Sequence, residues 1–238
     1  MTDPNSAGER DAGKREAALA AVAMVEDDMV VGLGTGSTAA FAIEGLIARV
    51  RDGLRIVGIP TSERSARQAL AGGIALSDFT VHTRVDLTID GADEISRHSL
   101  DLIKGLGGAL LREKIVAAVS DRLVIVADES KLRAGLGETA PLPVEVVAFG
   151  WQTTASRLAR LGARPALRQA SDGVAFRTDG GNLILDCHFG TIPNPARLEQ
   201  DLSGIVGVVE TGLFIGMATT VLVATPNGII RMNRPGLV

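Results

Sequence analysis

The residues with types and spacing suited to chemistry gather in three short stretches. They are Gly32-Leu33-Gly34-Thr35-Gly36-Ser37-Thr38, Asp90-Gly91-Ala92-Asp93-Glu94, and Lys104-Gly105-Leu106-Gly107-Gly108 with Glu113 five residues beyond. The first follows a predicted strand and opens a predicted helix, so unpaired backbone N–H groups and a positive helix end meet at one spot that suits an anion. A dinucleotide fingerprint fits poorly there. Ser37 stands where the third glycine belongs, and the next strand ends in Gly58-Ile59-Pro60-Thr61 without the ribose-binding acid. A Walker loop fails too, because no Gly-Lys-Ser/Thr closes the stretch. What remains is a short loop whose hydroxyls at Thr35, Ser37 and Thr38 can donate to a small phosphate while the backbone wraps it. Ser37 as a plain helix N-cap is compatible with that role.

The acid cluster admits three readings on its own: hard oxygen ligands for magnesium, an acid–base site in which crowded carboxylates raise one another's pKa, or an ordinary turn. The lysine loop adds a cation opposite the acids and runs into a second helix. On that helix Leu111, Ile115 and Ala118 or Val119 are expected to form the core stripe. Glu113, about 200° round from Leu111, then points to solvent or a cleft. A surface glutamate between Arg112 and Lys114 is the plainer alternative, and nearness to two glycine loops argues against it.

The elements that must carry these residues alternate along the chain. Predicted strands Met29 to Leu33, Arg55 to Ile59, Val85 to Ile89 and Leu123 to Ala127 are nearly all apolar, as strands covered by helices on both faces are. Helices are expected over Ser37 to Val50, Ser62 to Leu70 and Gly108 to Val119. This is the pattern of an α/β, Rossmann-like parallel sheet, whose strand-end loops meet at one edge. From Pro141 and Pro143 the order changes to strand 144–149, helix 151–161, strand 165–178, strand 182–189, helix 195–202 and strand 205–210. That βαββαβ order is ferredoxin-like. Ser171-Asp172-Gly173 is expected to bulge the second strand, and Asp179-Gly180-Gly181-Asn182 to turn a hairpin. The run Thr220 to Ala224 with Ile229-Ile230 reads as sheet returning to the first domain. The expected division is therefore 1–137 plus 210–238 for the Rossmann-like domain, with 138–209 as an inserted α+β small domain.

Composition excludes several classes. A chain of 238 residues needs neither disulfides nor a structural metal for its core, and a net charge of -4 with interspersed signs offers no face for nucleic acid. The single cysteine, Cys187, fits a reducing compartment and a packing role. The N-terminus lacks the pattern of a secretory signal. The apolar run Ala17 to Val25 is far shorter than the roughly 20 residues of a membrane span and reads as a buried helix face. His82 and His98 flank the acid cluster and His188 lies in the small domain, but no His/carboxylate ligand set is evident, so no metal and no cofactor is expected.

Taken together, GLGTGSTA, DGADE, KGLGGALLREK and the late GVVETGLF resemble ribose-5-phosphate isomerase A, in that order and at similar spacing, over about residues 14 to 230. Asp27-Asp28 stands where the family often has glycine, and the stretch between DGADE and the lysine is one residue longer than in some members. The resemblance implies that Glu113 is the proton-shuttling base. It implies substrate binding by Thr35, Gly36, Ser37 and Thr38, by Asp90, Gly91, Ala92 and Asp93, by Lys104, Gly105, Leu106 and Gly107, and by Lys131, with Lys14 as a possible further phosphate ligand. It also implies a sugar-phosphate substrate, a homodimer or homotetramer, and a cytoplasmic location.

Moving a proton between neighbouring carbons through an enediolate needs a carboxylate base and a stabiliser for the oxyanion. Glu113 is assigned the carbon proton, Lys104 the enediolate charge, Asp90 ring opening and proton transfer between the oxygens, and Asp93 the orientation of the hydroxyls and of Lys104. Competing readings are a sugar-phosphate-binding regulator, which lacks room for a DNA-binding module, a CoA-transferase-like protein, and an amino-sugar phosphate deaminase, which would want a histidine near the base.

Overall fold

The computed structural model describes residues 4–234. In chain order the elements are α1 (Pro4–Val22), β1 (Met29–Leu33), α2 (Ser37–Arg51), β2 (Ile56–Pro60), α3 (Glu63–Gly72), β3 (Ala75–Leu76), β4 (Leu87–Asp90), β5 (Glu94–Ser96), β6 (Leu102–Ile103), α4 (Leu110–Ala118) and β7 (Leu123–Asp128), followed by a 3-10 turn at Glu129–Lys131. They continue with β8 (Leu132–Arg133), β9 (Leu142–Val146), α5 (Trp151–Arg160), β10 (Arg164–Leu167), β11 (Leu183–His188), α6 (Pro195–Ser203), β12 (Val208–Thr211), β13 (Leu213–Phe214), β14 (Thr220–Thr225) and β15 (Gly228–Asn233). The chain forms two compact units, one of Met1–Ala92, Ile115–Leu132 and Met217–Val238, the other of Asp93–Lys114 and Arg133–Gly216. No helix among the described residues is long and apolar enough to cross a membrane.

The first unit is built on a seven-stranded sheet in the order β15-β14-β7-β4-β1-β2-β3. Its pairings are parallel except for the β14–β15 hairpin at one edge, so the final apolar run does enter this sheet, beside β7. The strands are apolar on both faces because helices cover them. Ala17, Ala18, Ala21 and Val22 are buried on one face of α1, and Val25, beyond the end of the helix, is buried with them, packed with Ile43, Leu46, Val31, Ile89 and Val124 in one core. The chain leaves β1 for β2 on one side and returns to β4 on the other. The loops after β1 and β4 therefore flank the switch in strand order, where open α/β sheets bind their ligands.

The second unit contains the antiparallel sheet β10-β11-β9-β12 with α5 and α6, the ferredoxin-like arrangement, over a core of Val144, Val146, Leu158, Leu185, Cys187 and Leu202. One expectation fails here: the strand over 165–178 stops at Leu167. Beyond it Gln169 and Ala175 bridge across a turn in which Gly173 takes φ 79° and Ala170 N–H donates to the Val174 carbonyl. Ser171-Asp172-Gly173 thus reverses the chain rather than bulging a strand, since Asp172 also caps the turn through Val174 N–H. A small sheet, β13-β6-β5-β8, was not anticipated, as its strands of two or three residues carry no detectable period.

Candidate active site

The glycine loop after β1 is shaped by what surrounds it in the first unit. A side chain at Gly34 would run into the Asp90 carboxylate and the Ile89 carbonyl, and Gly36 takes φ 116°, a conformation open to glycine at little cost. Gly34 N–H donates to the Ile89 carbonyl and Thr35 N–H to Asp90 Oδ1 at 3.0 Å, so the end of β4 holds the loop. Asp90, buried, also accepts from Gly91 N–H at 2.8 Å. Helix α2 starts at Ser37 with Gly36 as its N-cap and no side-chain cap, and Ala40 N–H to the Gly36 carbonyl is its first intrahelical bond. Ser37 is therefore not the cap. It lies exposed in the first helical turn, with Thr38 half-buried beside it.

The three hydroxyls grouped from sequence separate in space. Thr35 is buried and its hydroxyl meets those of Thr61, Ser62 and Ser65, while Ser37 and Thr38 stay accessible. Lys131 ends the 3-10 turn after β7, half-buried, behind a cap in which Asp128 accepts from Ser130 N–H. Lys14, on α1, forms an ion pair with Asp11 at 3.1 Å.

The second unit carries the other half of the assigned residues. Asp93 N–H donates to the Ile103 carbonyl, and Asp93 Oδ2 accepts from Leu106 N–H at 2.9 Å, so the acid loop clasps the lysine loop. Lys104 N–H donates to the Gly212 carbonyl. Gly105 takes φ 109° with Leu110 and Pro143 against it, and Gly107 and Leu106 are exposed. Lys104 Nζ lies 3.3 Å from Glu113 Oε2, with both side chains only 3% exposed. The Lys104 ammonium also sits 5.4 Å from the centre of the Phe214 ring, which Lys114 shares at 5.0 Å. Lys114 in turn pairs with Glu210 at 2.6 Å, and its burial pulls the ammonium pKa below the usual lysine range despite that acid.

Glu113 corrects the helix reading. The buried positions of α4 and the turn before it are Ala109, Leu110, Glu113, Val116 and Ala117, whereas Ile115 is 46% exposed and Ala118 is exposed. The inner stripe is set by Leu110, Glu113 and Ala117 at helical spacing, so the stripe through Leu111, Ile115 and Ala118 was out of phase. Hydrophobicity alone misplaced it, because a buried ion pair brought a charged residue to the inner face. Residues that the sequence did not mark also shape the site. Arg168 donates to the Gly105 and Leu106 carbonyls at 2.8 and 3.2 Å and pairs with Asp186. Its distance along the chain hides it from any motif search. Phe214 lay inside GVVETGLF, which marked its neighbourhood but not its role.

A carboxylate and an ammonium in contact and away from water can move a proton and stabilise an oxyanion, and the loop at α2 can take a phosphate. The family model for ribose 5-phosphate isomerase A (phosphoriboisomerase A) matches residues 57–228. The chain is 63% identical over 216 residues to ribose-5-phosphate isomerase A of Gloeobacter violaceus, covering 91% of this chain and 94% of that one. The chain belongs to the ribose-5-phosphate isomerase A family. The relative from Gluconobacter oxydans is 58% identical over 218 residues, covering 91% and 94%. The solved ribose 5-phosphate isomerase A of Methanocaldococcus jannaschii superposes with a TM-score of 0.90 at 39% identity, covering 94% of this chain and 99% of that one. A D-ribose-5-phosphate isomerase solved in complex with phospho-erythronic acid superposes with a TM-score of 0.91 at 36% identity and the same coverage. Membership of the ribose-5-phosphate isomerase A family, an aldose–ketose isomerase family, leaves the regulator and CoA-transferase readings without favour.

Proposed function

We propose that this chain interconverts D-ribose 5-phosphate and D-ribulose 5-phosphate through an enediolate, as in the non-oxidative pentose phosphate pathway. The observation that carries the reading is the Lys104–Glu113 pair at 3.3 Å, buried on both sides. A buried ion pair adds little to stability against an apolar alternative, so its value lies in chemistry. Glu113 takes the proton from C2 of the open-chain aldose, the electron pair forms the C1–C2 double bond, and the carbonyl oxygen becomes the enediolate oxygen. Lys104 neutralises that charge. Return of the proton to C1 gives the ketose, with Asp90 opening the ring and passing the proton between the oxygens and Asp93 orienting hydroxyls.

Phosphate binding is assigned to the loop Thr35, Gly36, Ser37 and Thr38, through its backbone and the accessible Ser37 and Thr38 hydroxyls. Gly91, Ala92, Gly105, Leu106 and Gly107 line the sugar, and Lys131, with Lys14, adds positive charge. Phospho-erythronic acid, the ligand of the solved relative, supports this reading: its carboxylate has the planar shape and charge of an enediolate. A homodimer or homotetramer in the cytoplasm belongs to the same proposal. The test is ketose formation from ribose 5-phosphate in excess EDTA. Turnover unaffected by EDTA is expected, and an inactive protein, or one that loses activity with the chelator, contradicts the proposal.

A further inference from the structure

Four hydroxyls in the first unit cluster beside the glycine loop, and the carbonyls they touch fix the direction of three of their links. Ser65 Oγ lies 2.6 Å from the Gly34 carbonyl, which can only accept, so the Ser65 proton is on Gly34. Thr35 Oγ1 donates to Ser62 Oγ at 2.8 Å. Ser62 and Ser65 Oγ are 3.0 Å apart, and because the Ser65 proton is engaged, Ser62 donates. Thr61 Oγ1 sits 2.8 Å from Thr35 Oγ1 and 3.0 Å from the Leu33 carbonyl. The Leu33 carbonyl can only accept, and with two lone pairs it takes both Thr61 N–H and the Thr61 hydroxyl proton. The order is therefore Thr35 to Ser62 to Ser65 to the Gly34 carbonyl, with Thr61 beside Thr35 and tied to the Leu33 carbonyl.

All four residues are at most 7% exposed, and chained hydroxyls out of water strengthen one another. Both ends of the chain grip the glycine loop, at Thr35 and at Gly34. Asp90 holds the Thr35 N–H from the other side. Ser62 is also the N-cap of α3, accepting from Ser65 N–H, so the chain is fixed to a helix end. Thr35 has no proton left for a ligand, which leaves Ser37, Thr38 and the N–H groups of the first turn of α2 as donors.

We infer that Thr61, Ser62 and Ser65 are positioning residues for the phosphate loop: Ser62 and Ser65 form a one-way hydroxyl relay from Thr35 to the Gly34 carbonyl, Thr61 adds a second tie to the Leu33 carbonyl, and together they preset the loop's donors before substrate arrives. The inference rests on the phosphate assignment made above. Preset donors avoid ordering costs on binding, so losing the relay should weaken phosphate capture more than turnover. The experiment compares Ser65→Ala, Thr61→Val and Thr61→Ser, with Ser37→Ala as a direct-donor control. It reads KM and kcat for ribose 5-phosphate and the inhibition constant of inorganic phosphate.

Ser65→Ala and Thr61→Val should raise KM and the phosphate constant together by about fivefold to tenfold, the worth of one hydrogen bond, with kcat changed less than about threefold. Thr61→Ser, which keeps the hydroxyl, should restore both. If Ser37→Ala weakens phosphate but Ser65→Ala and Thr61→Val leave it within twofold, the relay is refuted and the phosphate loop stands. If Ser37→Ala changes neither constant, the loop is not the phosphate site and both proposals fall. A Thr61→Ser protein as impaired as Thr61→Val overturns the positioning role of Thr61, because packing rather than its hydroxyl bond to the Leu33 carbonyl would then be responsible.

Discussion

Replacing Glu94 by glutamine exchanges a single oxygen for an NH2 group at a fully buried carboxylate that anchors the segment after the acid loop. Its Oε1 accepts from Thr139 N–H at 2.6 Å, Thr139 Oγ1 at 2.8 Å and Ala140 N–H at 2.7 Å, and its Oε2 from Gly137 N–H at 2.6 Å. Burial alone would raise the carboxyl pKa, but these four donors outweigh it and hold the pKa below the usual glutamate range. An amide can satisfy the three donors on one side only by turning its NH2 toward Gly137, leaving that N–H without an acceptor. One orphaned donor and three bonds stripped of charge assistance amount to about 4–6 kcal/mol, and relief from burying a charge returns part of it, for a net loss of about 2–4 kcal/mol.

The pH dependence has a definite sign. Because the folded pKa is depressed, the contribution of Glu94 is complete above the unfolded carboxyl's pKa and is lost as pH falls through the folded one. Urea unfolding of wild type and Glu94→Gln at pH 7 and at stepwise lower pH should therefore show a gap that narrows on acidification. A gap under about 0.5 kcal/mol at pH 7, or one that widens toward acid, refutes the reasoning.

Arg168→Met removes the donors to the Gly105 and Leu106 carbonyls. It should lower kcat/KM for ribose 5-phosphate by about tenfold through a loosened lysine loop, as steady-state kinetics will show. Cys187 is buried and its thiol is pushed up to about 12, mainly by burial. It should therefore resist iodoacetamide at pH 8 in the native protein and react promptly in urea, which mass spectrometry of the labelled chain can follow.

Much of the framework could be read from particular residues. The β-branched runs and the glycine loop announced the parallel sheet and the shared edge of its strand-end loops, because burial on both faces favours near-continuous apolar strands. The βαββαβ order was legible for the same kind of reason, since its helices and hairpin have local signals. Three features escaped. The face of α4 was misjudged because Glu113 is buried by pairing with Lys104, an interaction that no hydropathy period records. The excursion after β10 escaped because Asp172-Gly173 suits a bulge and a full reversal equally well. The partners of Thr35 and of the lysine loop, Ser65 and Arg168, lie 30 and more than 60 residues from what they hold, and only tertiary structure brings them there.

The role of Glu113 as the carbon base is tested most directly by Glu113→Gln, which keeps the size of the side chain and removes its basicity. With ribose 5-phosphate in D2O, the wild-type protein should form ketose and exchange the transferred hydrogen with solvent. The variant should lose about 10²–10⁴-fold in kcat for both processes, with KM changed far less. A variant that isomerises and exchanges within a few-fold of wild type would show that another group moves the proton.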